Sequence, residues 1–190
     1  NSPNVSEYML SFNKDKKWIF GNIAQLPEEL ISFASENLTN YYFVEYDYKY
    51  CEYRNPVLYE FLEDEKCQYS ETTRGKLISK FINNSTKTFY MSEAQRDIHV
   101  ADLKNLTGDN LVVLSSTFNT NFFENLEKYS SNEKTDKWLV LGSRSWVKGS
   151  NQSEKWCKDN NLDYEVVSGL SPEEVLEKMS KAKGVCFLPT

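Results

Sequence analysis

The sequence holds a single histidine, His99, and four cysteines that form no C-x-x-C pair. A structural zinc site needs close-spaced Cys and His ligands, so no metal is expected, and Cys51, Cys67, Cys157 and Cys186 read as reduced, packed thiols. One histidine, with no Ser or Cys in a recognisable arrangement around it, leaves nothing for a nucleophilic triad. No apolar run approaches the ~20 residues needed to span a bilayer. The opening NSPNVSEYML has neither the basic start nor the apolar stretch of a secretory signal. Basic excess is missing too: 22 Lys and Arg stand against 28 Asp and Glu, for a net charge of -6. A surface that tracks nucleic-acid phosphates requires the opposite balance. The expectation is a cytoplasmic protein with no transmembrane segment and no nucleic-acid partner. Six N-x-S/T triplets, at Asn4, Asn37, Asn83, Asn84, Asn105 and Asn151, follow from the abundance of Asn and do not argue for secretion.

What is present is a globular composition, 39% hydrophobic and 14% aromatic over 190 residues, enough to bury a core in one or two domains. Short apolar runs alternate with amphipathic stretches. Strands are expected at Trp18–Asn22, Tyr41–Tyr48, Thr86–Met91 and Leu111–Ser116, then at Lys137–Gly142, Asp163–Ser168 and Gly184–Leu188. Between them, helices are expected over Leu26–Leu38, Thr73–Asn83, Ser92–Leu103, from Ser150 or Asn151 to Asn161, and from Ser171 to Ala182. Ser171, Pro172 and Glu174 supply cap, first-turn proline and capping box, and Ser92 with Gln95 reads as a second box. Strand-helix alternation implies parallel βαβ units with helices on both faces of each sheet, so the fold class is α/β. The polar run Tyr129–Lys137 marks a boundary between domains 1–130 and 131–190. Four strands should form a first sheet and three a second.

Candidate site residues lie at expected strand ends. The loop GSRSWVKG follows a strand and precedes a helix, where parallel sheets stabilise anions with loop N–H groups and helix N-termini. Gly142 would let the backbone approach a phosphate, Arg144 offers a bidentate fork, and Lys148 adds a point charge. The bland alternative is a pair of solvated loop charges. Asp47 ends the VEYDY run, where its carboxylate could bond sugar hydroxyls or simply serve a turn. As the phosphoacceptor of a receiver domain it would need an acidic pair after the first strand, and WIFGN has none. Tyr46, Tyr48, Tyr50 and Tyr53 could stack on sugar rings or pack into the core. Glu93 and Gln95 sit at a strand-to-helix turn and could face a cleft, whereas His99, two turns into that helix, reads as structural.

From Val113 to Gly149, the order strand, small polar pair, Asn, Phe-Phe patch, second strand and basic loop resembles the hinge of glycosyltransferase group 1 enzymes of the GT-B fold. The resemblance is clearest from Thr86 to Thr190. It implies two Rossmann-like parallel-sheet units, an acceptor-side domain followed by the first half of a nucleotide-sugar-binding domain. In that family a Gly-Arg pair followed by Lys-Gly holds the donor diphosphate; here Ser143 separates Gly142 from Arg144, and the Arg-to-Lys interval is one residue shorter. The resemblance therefore implies donor binding by Gly142, Arg144 and Lys148, while Asp47, Glu93 and Gln95 remain candidates for the cleft, Glu93 and Gln95 toward an acceptor or the donor. The partners would be a nucleotide sugar and a carbohydrate or other acceptor, without cofactor or metal, and no DxD motif is present. The family's glutamate pair would fall beyond Thr190, so the chain reads as a fragment with little activity alone. The rival expectation is a non-catalytic α/β binding or scaffold module.

Overall fold

The computed structural model describes residues 5–115, 118–144 and 148–188. The chain divides into two compact units, Asn1–Ser116 and Thr117–Thr190. Both are α/β units with parallel sheets, as the alternation predicts.

The first unit runs α1 (Glu7–Phe12), β1 (Trp18–Phe20), α2 (Glu28–Asn37), β2 (Tyr41–Glu45), α3 (Pro56–Glu63), a 3-10 turn (Tyr69–Glu71), α4 (Thr73–Asn84), β3 (Lys87–Tyr90), α5 (Glu93–Asp102) and β4 (Leu111–Val113). Its strands stand in chain order, β1-β2-β3-β4, with Phe20 opposite Phe43 and Glu45 opposite Tyr90. Alternation along β2 buries Tyr41, Phe43 and Glu45 and leaves Tyr42 and Val44 half-buried on the other face. Leu10, Ile31, Ala34, Ile78, Phe81 and Leu103 fill the buried side. There the Phe81 ring lies 4.9 to 5.3 Å from Phe20, Tyr41 and Phe43, and the Tyr41 hydroxyl donates to the Phe81 carbonyl at 2.7 Å.

The expectation of helices on both faces fails in this unit. The helices pack on one face, and Ile19 on the other is 69% exposed. Strand order supplies the reason: every crossover steps one strand in the same direction, and crossovers of one hand then pass over one face.

The second unit comprises α6 (Thr120–Tyr129), β5 (Trp138–Leu141), α7 (Ser150–Asp159), β6 (Tyr164–Val167), α8 (Pro172–Lys181) and β7 (Gly184–Cys186), in the sheet order β6-β5-β7. The step from β5 to β6 and the return past β5 to β7 run in opposite directions, so helices cover both faces. Ala182, just after α8, packs with Leu139 and Val167; Cys157 of α7 packs with Val140 and Cys186. The four cysteines are free thiols.

Local chemistry explains where the elements start. Ser171 accepts from the Glu174 amide at 3.3 Å while Glu174 accepts from the Ser171 amide at 2.7 Å, the complete capping box. At α5 the box is half formed. Ser92 accepts from the Gln95 amide, but the Gln95 side chain reaches one residue further back, to the Met91 amide. In the first turn of α4, Gly75 packs so closely on the preceding 3-10 turn that a Cβ would stand 1.8 Å from the Tyr69 carbonyl oxygen.

Helix α6 lies between the fourth and fifth expected strands, where the sequence pattern predicts no helix. Asn119 caps it by accepting from the Phe122 amide at 3.0 Å, and it packs on α8. It therefore groups with the second unit, and the two units meet between 116 and 117, ahead of the polar run. No helix among the described residues is long and apolar enough to cross a membrane.

Candidate functional site

At the carboxyl end of β2 the chain buries a charged cluster. Glu45 and Lys49 are both fully buried. The Lys49 ammonium donates to Glu45 Oε1 at 2.9 Å and to Asp47 Oδ1 at 2.5 Å, and the Asp47 amide donates back to Glu45 Oε1 at 3.1 Å. Burying a lone ammonium is costly; two carboxylates sharing it make the arrangement tenable. The second Asp47 oxygen faces the Arg54 guanidinium at 3.5 Å. Asp47 thus links the buried ion pair to the surface, and its carboxylate is engaged on both oxygens.

His99 is equally buried, boxed by the rings of Tyr48, Tyr50 and Tyr90 at 4.9 to 5.1 Å. Its Nδ1 lies 2.9 Å from the Gln95 carbonyl, which only accepts, so the proton sits on Nδ1. Nε2 faces Glu45 Oε2 at 3.8 Å. Neither of those atoms, nor the Tyr90 hydroxyl, has a hydrogen-bond partner among the described residues. Gln95 is buried and spends both ends of its amide on main chain, accepting from Met91 and donating to the Asp47 carbonyl at 3.4 Å. Glu93 is exposed in the first turn of α5. Of the three cleft-facing candidates, the structure brings Asp47 and Gln95 together.

Beside this cluster, beyond the carboxyl ends of β1 and β2, opens a cavity of about 1350 Å³. Residues after β1, residues after β2, Tyr59 of α3 and the first turn of α4 line it. The Tyr50 hydroxyl donates to Asp102 Oδ2 at 2.7 Å; burial first, and then that carboxylate, push its ionisation well above the ordinary tyrosine range. Tyr69 is shifted the same way by burial and by its bond to Cys51 Sγ at 3.3 Å.

The second candidate is the loop between β5 and α7. The Ser150 hydroxyl ties it down, donating to the Leu141 carbonyl and accepting from the Ser143 amide, both at 2.8 Å. Gly149 precedes the helix with φ 63°, a left-handed turn that suits glycine. Gly142 has a packing reason to be glycine: a Cβ would meet Val167 and Ser168 at 3.0 to 3.1 Å. Arg144 and Lys148 are exposed. The intervening Ser145, Trp146 and Val147, which belong to the same sequence motif, lie outside the described residues. No group of His, Cys, Asp and Glu among the described residues could hold a metal ion.

Comparison of the sequence with protein-family models and with characterised proteins finds no match. The reading therefore rests on the residues themselves. Sequence reasoning passed over Glu45, Lys49, Arg54 and Arg74. No local pattern marks the first two, because Lys49 reaches Glu45 only through the turn that follows β2.

Proposed function

We propose that this chain is part of a glycosyltransferase that moves a sugar from a nucleotide-sugar donor to an acceptor, with the donor diphosphate held by the loop after β5. The observation that carries the reading is the strand order β6-β5-β7. Chain order reverses beside β5, so this loop opens at the topological switch point, where α/β sheets take ligands. The N-terminus of α7 contributes partial positive charge there, and Arg144 and Lys148 are both exposed and in reach of solvent.

Charge makes the chemistry specific. As the bond from the anomeric carbon to the diphosphate lengthens, negative charge grows on the leaving nucleoside diphosphate. The Arg144 fork and the Lys148 ammonium stabilise that charge, and the contacts strengthen as it develops. Acceptor binding falls to the first unit, whose cavity lies at the carboxyl end of its own sheet.

Saturation-transfer NMR with UDP and GDP tests the donor half directly. One of the two nucleotides is expected to bind, and Lys148→Ala to weaken it about tenfold, since a charge-assisted contact contributes roughly 1.5 to 3 kcal/mol. Binding of neither nucleotide would leave the non-catalytic module as the better account.

A further inference from the structure

We propose that the cavity in the first unit is a site for an anionic sugar, a pyranose ring carrying a carboxylate or phosphate. For the role of acceptor this rests on the glycosyltransferase reading; the binding chemistry stands apart from it.

Three tyrosines lie along the cavity, and Tyr59 is the one with an accessible ring. Tyr69 meets Tyr50 edge-to-face at 4.9 Å and Tyr59 at 5.8 Å. The Tyr50 and Tyr69 rings are buried, their hydroxyls engaged by Asp102 and Cys51, and they hold the half-buried Tyr59 in place as the ring open to the cavity. A fixed aromatic face suits the C–H face of a sugar. The side-chain amides of Asn22 and Gln25, also lining the cavity, match the donor and acceptor character of sugar hydroxyls.

Charge selects among sugars. Arg54 and Arg74 both line the cavity, against one lining carboxylate, Glu52, in a chain of net charge -6. Arg74 is held in place: its Nε donates to the Lys49 carbonyl at 2.6 Å and its Nη1 to Glu28 at 2.7 Å. Those bonds use two of the five guanidinium donors. Arg54 is held more loosely, with a half-exposed side chain and a 3.5 Å contact to Asp47, longer than the ~2.9 Å of a direct N–H to O bond. Its backbone adopts φ 53°, the left-handed region that non-glycine residues seldom occupy. Strain of that kind clusters at ligand sites. The buried Glu45–Lys49–Asp47 cluster fixes the segment that carries it, and so a cationic group is set at the rim of an aromatic-walled cavity.

Isothermal titration of the whole chain with glucuronic acid, glucose 6-phosphate and glucose, at one ionic strength, tests the inference. At least one of the two anionic sugars should bind about tenfold or more tightly than glucose. Whichever does identifies the group recognised. Arg54→Gln should abolish the preference without changing the melting temperature, because the side chain is half exposed. Lys148→Ala should leave sugar binding intact. Equal binding of all three sugars, binding of none, or a preference that survives Arg54→Gln at unchanged melting temperature would overturn the proposal. Loss of UDP and GDP binding with anionic-sugar binding intact would instead count against the glycosyltransferase reading alone.

Discussion

Replacing Lys49 with Met puts the buried ion pair to a quantitative test. Lys49 and Glu45 are both fully buried, so water cannot take over the carboxylate when the ammonium is removed. Glu45 Oε1 would keep only the Asp47 amide, at 3.1 Å, and Asp47 would keep its looser contact with Arg54. Leaving one partner of a buried pair uncompensated costs about 3 to 5 kcal/mol. With a urea slope of ~2 kcal/mol per molar, the unfolding midpoint should fall by about 2 M. Near-UV circular dichroism of the tyrosine-rich first unit, together with amide exchange in β2 and β3, reads that change where it occurs. The double variant Glu45→Leu with Lys49→Met should recover most of the loss, since an apolar pair of similar volume is often neutral. Asp47, 29% exposed and beside Arg54, can then be hydrated. A single variant costing under about 1 kcal/mol, or a double variant no better than the single, would refute the reasoning.

Gly75→Ala should destabilise the first unit by at least the ~1 to 3 kcal/mol of an overpacked core, because the new methyl would stand 1.8 Å from a backbone carbonyl; a melting temperature within a degree of wild type would contradict that. Alkaline titration probes the buried phenols. Tyr41, Tyr50, Tyr69 and Tyr90 all have their ionisation raised, chiefly by burial, so the folded state holds these protons more tightly than the unfolded chain. Their contribution to stability is full below the unfolded value of about 10 and is lost as pH rises above it. Of the twelve tyrosines, these four should thus ionise only together with unfolding of the first unit, and ionisation of all twelve near pH 10 with unchanged circular dichroism would rule out this burial.

The strand-helix rhythm was readable because each strand is a compact apolar or aromatic run and α8 carries its start signals in three residues, Ser171, Pro172 and Glu174. Helices that bury little left a fainter trace. Neither α3 nor α6 has a fully buried residue, so their apolar positions look like loop composition. Which face the helices cover depends on strand order, and order is a property of the assembled sheet: β1-β2-β3-β4 in one unit, β6-β5-β7 in the other. The charged cluster was hidden for a different reason. Glu and Lys are almost never fully buried unless paired, and Glu45 and Lys49 become a pair only when the turn after β2 folds one onto the other. The cavity gathers side chains from separate segments, after β1, after β2, on α3 and at the start of α4, and no local pattern announces that convergence. The basic loop, by contrast, is contiguous, and Gly142, Arg144 and Lys148 could be picked out from their spacing and from the strand before them.

Amide chemical shifts mapped during titration with UDP and GDP show whether the loop after β5 holds a nucleoside diphosphate. One nucleotide should move the resonances of Ser143, Arg144, Lys148, Gly149 and Ser150, at the end of β5 and the start of α7, while the far ends of β5, β6 and β7 stay still. Shifts confined to other parts of the chain, or no shifts with either nucleotide, would contradict it.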